Sequence, residues 1–294
     1  MATPLSAAAQ LRAFKRWDVD YHEHTIDGVS WKSHNRNKVG SWGPVHGILW
    51  HHTADDAPDD LDFAVCWRGR SDLPGPLCQW GLRDDGTVDM IGNGRCNHAG
   101  AGGGQAVLDA VTNESYGDYP PAPQYHQGSP LPPAVDGNHA FYGFETYYSG
   151  GHKMTDAAYA TGIRMCAAIC EAHGWSAKSV IGHKEWSDWK IDPGNLDMAK
   201  ARADIQAALD AGPNGGDPPP KDDPVKYPLI QRAQEQRAAA NTALLAQVAS
   251  LEVAVRAHPR WTYGAGLLAA TKVELTRGRL AWAQLHSINH PKEK

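Results

Sequence analysis

Apolar residues form short runs in the first two-thirds of the chain. The runs HGILW (46–50) and YGFETYY (142–148) have the length and composition of buried β-strands. The segment 155–174 has a helical pattern instead, with Thr155 as the N-cap and Gly174 as the C-terminal stop. Strands mixed with helices predict a domain of the α/β or α+β class.

Glycine and proline interrupt this pattern at three places. Residues 102–106 and 117–137 predict irregular loops, which we expect to wall a cleft. Residues 211–224 are rich in Pro, Gly and Asp, and cannot form a regular element because proline lacks a backbone donor and glycine loses more entropy on folding. The predicted organisation is a domain over residues 1–211 with an N-terminal extension over 1–40, a linker over 212–224 and a C-terminal module over 225–294.

The C-terminal module has a helical pattern in two parts. Its apolar residues recur at intervals of three, four and seven, and Pro259 and Gly264 separate the parts, which predicts a small helical hairpin. The apolar positions are Leu244, Val248, Leu251, Val255, Leu268, Leu275 and Trp282. Residues 221–294 carry 11 Lys and Arg against 6 Asp and Glu, whereas residues 1–220 carry 17 against 27. A basic tail on an acidic body suits binding to a polyanion, although a solvated helix surface explains a modest excess equally well.

Composition excludes several classes of protein. Hydrophobic residues make up 41% of the 294 residues and charged residues 21%, and no apolar run approaches the roughly 20 residues of a membrane span. The first twenty residues lack the apolar block of a secretory signal, so we expect synthesis and folding in a cytoplasm. The five cysteines lack metal-site spacing and are expected to be reduced. No basic stripe with interleaved aromatic residues indicates nucleic-acid binding.

Candidate chemistry begins at the end of the first strand, in GILWHHTADD (47–56). Side chains alternate between the faces of a strand, so only one of His51 and His52 faces a shared site. A second apolar run ends in His183, and Asp192 follows nine residues later before a Pro-Gly turn. Two histidines and one carboxylate are the ligands of a catalytic zinc site, which leaves its fourth position for water.

These motifs together resemble the zinc-dependent N-acetylmuramoyl-L-alanine amidase family. The resemblance rests on LWHHTA, DDGTV (84–88), NHAG (97–100), GFETYY (143–148), IGHKEW and WKIDPG, and covers about residues 45–210. The family includes amidase-type phage endolysins, anhydro-muropeptide amidases and peptidoglycan recognition proteins. It implies an α/β fold with a mixed central β-sheet flanked by helices, one Zn2+ per domain and bacterial peptidoglycan as substrate.

The resemblance also implies a role for each residue that matches a family motif. Zinc ligands are expected at His51, His183 and Asp192. Glu145 matches the glutamate beside the metal-bound water, and Lys190 matches the lysine that faces the reacting carbonyl. A tyrosine that the phage enzymes place before the DGT turn aligns with Cys78, which leaves Cys78 without a role.

Three further residues are predicted substrate contacts, each with a structural alternative. His98 in NHAG either contacts substrate or the outer shell of the zinc, or is an ordinary hydrogen-bonded histidine. Trp186 and Trp189 flank the ligands and either stack on sugar rings or pack in the core.

The predicted function is hydrolysis of the amide between N-acetylmuramic acid and L-alanine. A phage endolysin, made in the host cytoplasm and acting on the wall after release, is the preferred role, because a basic module follows the catalytic domain. The alternatives are a bacterial wall-recycling amidase and a non-catalytic peptidoglycan-binding protein. The C-terminal module is expected to bind anionic wall polymer, to drive oligomerisation, or to pack on the enzyme.

Overall fold

The computed structural model describes residues 2–123 and 135–213, and the predicted C-terminal hairpin lies outside them. The chain divides into two units, Met1–Pro219 and Pro220–Lys294, at a point inside the predicted linker. Within the described residues, no helix has both the length and the apolar character that a bilayer span requires.

A mixed six-stranded sheet forms the centre of the domain. The strand order is β1-β8-β7-β11-β4-β12, and every neighbouring pair is parallel except β7 and β8. The predicted α/β fold with a mixed central sheet is therefore confirmed. The strands of this sheet are β1 (Tyr21–Glu23), β4 (Gly47–His52), β7 (Trp80–Leu82), β8 (Val88–Met90), β11 (Phe141–Thr146) and β12 (Val180–Gly182).

In the part of the chain that the structure describes, three two-stranded pairs lie outside this sheet. Each pair is antiparallel and short, and none of them carries a predicted site residue. They are β2 (Thr25–Ile26) with β3 (Val29–Ser30), β5 (Gly69–Arg70) with β6 (Leu73–Pro74), and β9 (Ala101–Gly102) with β10 (Val135–Asp136).

Helices flank the sheet, and the longest has the predicted ends. Thr155 accepts a hydrogen bond from the backbone of Ala158 at its start, and Gly174 ends it in the left-handed conformation. The helices are α1 (Ala7–Arg16), α2 (Asp59–Arg68), α3 (Gly104–Thr112), α4 (Gly137–Ala140), α5 (Asp156–His173), α6 (His183–Trp186) and α7 (Met198–Ala211), with one 3-10 turn at Ala177–Ser179.

One sequence expectation needs correction here. Residues 102–106 were expected to be irregular, but α3 begins at Gly104. A Cβ at Gly103 would lie 2.5 Å from the ring of Trp186, so the glycines make room for this side chain while the chain turns into a helix. The N-terminal extension 1–40 supplies an edge strand of the sheet and buries Phe14, Trp17 and Trp31 in the core.

The cysteines behave as packing residues. All five are reduced and buried, as expected. Cys166 and Cys170 lie in the main apolar core with one face of α5. Cys78 joins the same core, and burial raises the pKa of its thiol. The structure therefore gives Cys78 a place in the core.

Candidate active site and metal centre

The register of the sheet places His51 beside Glu145. Glu145 on β11 is the direct partner of His51 on β4, and partners on neighbouring parallel strands project their side chains to the same face. His52 projects to the opposite face, where its ring packs edge-on to Tyr148 at 5.5 Å. The alternation along β4 therefore selects His51 for the shared site.

His183 reaches the same place through the next strand. Gly182 on β12 pairs with Trp50 on β4, so His183 continues the ladder next to His51 at the carboxyl ends of the strands. The loop after α6 then returns Asp192, whose carbonyl oxygen accepts a hydrogen bond from the Lys184 backbone at 2.8 Å. The Lys184 ammonium holds the same loop by donating to the carbonyl of Gly194 at 2.7 Å.

Three potential metal-ligand atoms converge at this point. The Nδ1 atoms of His51 and His183 are 3.0 Å apart. Oδ2 of Asp192 lies 2.8 Å from the first nitrogen and 2.9 Å from the second. All three residues are buried, so solvent does not compete for these atoms.

The protonation of this cluster suits a cation. Burial, and then the charge of His183, lower the pKa of His51 to about 4, so its imidazole is neutral at pH 7 and offers a lone pair. Burial acts to raise the pKa of Asp192, but the contacts with His183 and His51 outweigh it and leave the carboxyl ionised. Ligands in a tetrahedral zinc site lie roughly 3.3 Å apart, given zinc–nitrogen bonds of about 2.0 Å. The three residues therefore fit a zinc ion after shifts of a few tenths of an ångström.

The second ring nitrogen of each histidine has its own partner. Nε2 of His51 lies 3.1 Å from Nδ1 of His98, and Nε2 of His183 lies 3.4 Å from the carbonyl oxygen of Ala99. Such outer contacts fix the tautomer and the orientation of metal-binding imidazoles. His98 is itself fixed, because its backbone N–H donates to Oδ1 of Asn138 at 2.9 Å.

Glu145 supplies a carboxylate beside the three ligands. Its Oε2 atom is enclosed and lacks a hydrogen-bonding partner among the described residues. Burial, followed by the charge of Asp192, raises the pKa of Glu145 well above its ordinary value, and the charge of Lys190 opposes that rise. Lys190 is exposed, and its charge also lowers the pKa of His51. The positive charge of this exposed side chain thus acts on both His51 and Glu145.

The family model for N-acetylmuramoyl-L-alanine amidase matches residues 41–195. The chain belongs to this amidase family. The match contains every site residue predicted from the sequence, and the edge strand β1 lies before it. A comparison with curated proteins gives no significant match.

Two solved amidase structures from Clostridium intestinale URNW are similar to the chain. The endolysin N-acetylmuramoyl-L-alanine amidase LysCS is 16% identical, with a TM-score of 0.39. The match covers 63% of this chain and 93% of the LysCS chain. The N-acetylmuramoyl-L-alanine amidase LysC has the same identity and TM-score, with 63% of this chain and 95% of its own covered.

Trp186 and Trp189, the two tryptophans near His183 and Asp192 in the sequence, have different environments. Trp186 is completely buried and packs edge-on to Phe141 at 5.0 Å in a core cluster with Leu49 and Ile181. Its position does not support the predicted stacking on a sugar ring. Trp189 is half-buried and precedes Lys190, so its contact with substrate stays a prediction.

Asp62 is a titratable residue near the site that sequence reasoning missed. It lies on α2, and its Oδ2 accepts a hydrogen bond from the Thr53 hydroxyl at 2.9 Å. Burial raises the pKa of Asp62 to about 7, and the negative charge of Asp62 in turn raises the pKa of Glu145. The one feature of the sequence that could have indicated Asp62 is Thr53, two residues after His51. A threonine after a strand is too common to predict such a contact.

Proposed function

We propose that the protein is a zinc-dependent amidase that cleaves the bond between N-acetylmuramic acid and L-alanine in bacterial peptidoglycan. The convergence of His51, His183 and Asp192 carries this proposal. Membership of the amidase family supports the reaction and its substrate. The set of ligands supports zinc, because two imidazoles and one carboxylate leave a coordination position for water.

The residues around the cluster divide the work of hydrolysis. A zinc ion held there would polarise the scissile carbonyl and make a bound water more acidic. Glu145 accepts the proton of the attacking water and then donates it to the leaving nitrogen of L-alanine. Burial raises the pKa of Glu145, so its carboxylate is a stronger base than an exposed one and can hold the proton until the nitrogen leaves. Lys190 stabilises the negative charge that develops on the carbonyl oxygen.

Mass spectrometry of digested peptidoglycan tests the reaction directly. Cleavage at the proposed bond releases peptides with a new L-alanine amino terminus and leaves intact glycan strands. Removal of metal with a chelator should abolish release, and added zinc should restore it. The variant His51→Ala should lose activity and the zinc ion bound between His51, His183 and Asp192, whereas the exposed histidine variant His152→Ala should keep both.

The variant Glu145→Gln separates catalysis from binding. It keeps the shape of the side chain but removes the proton acceptor, so turnover should fall about 100- to 10,000-fold with zinc still bound. An unchanged rate would assign the base to another group. Binding of peptidoglycan with no release by the wild-type protein would favour the alternative of a non-catalytic binding protein.

We further propose that the protein acts as a phage endolysin and that residues 225–294 bind anionic wall polymer. The excess of basic residues after position 220 supports the second part. Truncation after Ala211 should preserve activity on soluble muropeptides and weaken binding to purified wall. Expression with a pore-forming partner should lyse cells faster than the pore alone. Equal lysis rates would favour the wall-recycling role.

A further inference from the structure

A second group of metal-binding side chains lies at the other edge of the sheet. Strand β1 is the edge strand, and its residue His22 is the direct partner of Asp89 on β8. His24 lies two positions later, one residue beyond the end of β1, and both imidazoles of the HEH motif (22–24) approach Asp89. The amidase centre, formed by the ligand residues His51, His183 and Asp192, lies at β4 and beyond the end of β12, and strands β7 and β11 lie between β8 and β4.

The two oxygens of Asp89 have separate surroundings. Oδ1 faces the histidines, at 2.7 Å from Nε2 of His24 and 3.9 Å from Nδ1 of His22. Oδ2 accepts hydrogen bonds from Nε of Arg83 at 2.8 Å and from the Tyr147 hydroxyl at 3.2 Å. The carboxylate is fully buried and held in place, with one oxygen left to the histidines. Metal-binding carboxylates are commonly held in this way.

The two histidines are placed to bind one shared ion at a position that solvent can reach. The His24 ring packs on Phe63 at 4.2 Å between ring centroids, which limits its rotation. The His22 side chain is 62% exposed, so its ring has room to turn toward Asp89. The two imidazoles lie edge to face at 6.2 Å between centroids. Asp89 and His24 are thus held in place, and the His22 side chain can rotate to complete the site.

We propose that His22, His24 and Asp89 form a second binding site for a divalent transition-metal ion, with zinc as the best match to two imidazoles and one carboxylate. Ligand atoms of a tetrahedral zinc ion lie roughly 3.3 Å apart, a value between the two distances observed here. The ion joins β1 to β8 and stabilises the edge of the sheet. The charge of Arg83 opposes the cation, so this site is weaker than the amidase centre.

Zinc counting on the full-length protein tests the second site. Equilibrium dialysis against zinc should give one fewer bound ion for His22→Ala and for His24→Ala than for the wild type. His152→Ala is the matched control, because it also removes an exposed histidine that contacts an aspartate, Asp56, and it should bind the wild-type number. His22→Ala is the decisive variant, since an exposed ring contributes little to folding.

Thermal unfolding separates the second site from the amidase centre. In His51→Ala, zinc should still raise the melting temperature, and adding His22→Ala should abolish that rise. The proposal is overturned if His22→Ala binds as many zinc ions as the wild type, or if zinc stabilises the double variant as much as His51→Ala. Neither result depends on amidase activity, so the proposed function stands or falls separately.

Discussion

One methyl group added at Gly143 should weaken metal binding without altering a ligand. A Cβ at this position would lie 2.3 Å from Nδ1 of His98, whereas ordinary contact begins at 3.4 Å. His98 must therefore retreat by about 1.1 Å, given that Gly143 is fixed within β11. The contact between His51 and His98 is 3.1 Å long and would exceed hydrogen-bonding distance after such a shift.

The expected size of the effect follows from the loss of this contact. Removal of an outer partner of a metal-binding histidine typically weakens metal affinity about 10- to 100-fold. Overpacking at the same position should lower the free energy of unfolding by about 1 to 3 kcal/mol. Competition with a chromophoric chelator measures the zinc affinity, and urea unfolding of the metal-depleted protein measures the stability.

A double-variant cycle distinguishes this mechanism from general damage to β11. In His98→Ala the side chain that meets the new methyl group is absent, so Gly143→Ala should change zinc affinity less than about twofold in that background. An equal loss of affinity in both backgrounds would refute the role of His98. Wild-type affinity in the single variant Gly143→Ala would refute the steric argument itself.

Two other substitutions test charges near the site. Lys190→Ala should lower turnover about 100- to 1,000-fold and leave zinc affinity within a few-fold, because the ammonium acts on the developing oxyanion; steady-state kinetics and chelator competition measure the two effects. Asp62→Asn should remove a pH-dependent loss of stability. The folded-state pKa of Asp62 is about 7 against an ordinary 3.8, so the folded state binds the extra proton and stability declines as pH rises from about 4 to 7. Urea unfolding at both ends of that pH range measures the free energy of unfolding. This free energy should decline less in the variant than in the wild type, by at most about 4 kcal/mol.

Local patterns predicted the strands that carry the site. The apolar runs before His51 and His183 end at the carboxyl edge of neighbouring parallel strands. Alternation along β4 predicted that only one of His51 and His52 faces the site, and the family resemblance, rather than the local pattern, indicated His51. Thr155 and Gly174 marked the ends of α5 because capping depends on residues within one turn. These features depend on residues that are close together along the chain, so they can be predicted from a single sequence.

Long-range pairing could not be predicted in the same way. Strand β1 has the sequence YHE, which lacks an apolar pattern, and its place in the sheet depends on pairing with β8 more than 60 residues away. The partnership of Glu145 with His51 is likewise a matter of register between two strands. The start of α3 was missed because its glycines accommodate Trp186, a contact between distant segments.

The two groups of ligands differ in what surrounds them, and this difference predicts their roles. At the amidase centre, one oxygen of Glu145 is enclosed and has no hydrogen-bonding partner within residues 2–123 and 135–213, so it is available to move a proton. At the edge of the sheet, the second oxygen of Asp89 already accepts from Arg83 and Tyr147, so it cannot serve as a base. Zinc bound by His22, His24 and Asp89 should therefore raise the melting temperature and leave turnover unchanged. A fall in turnover in His22→Ala, measured with the amidase centre saturated with zinc, would contradict this assignment.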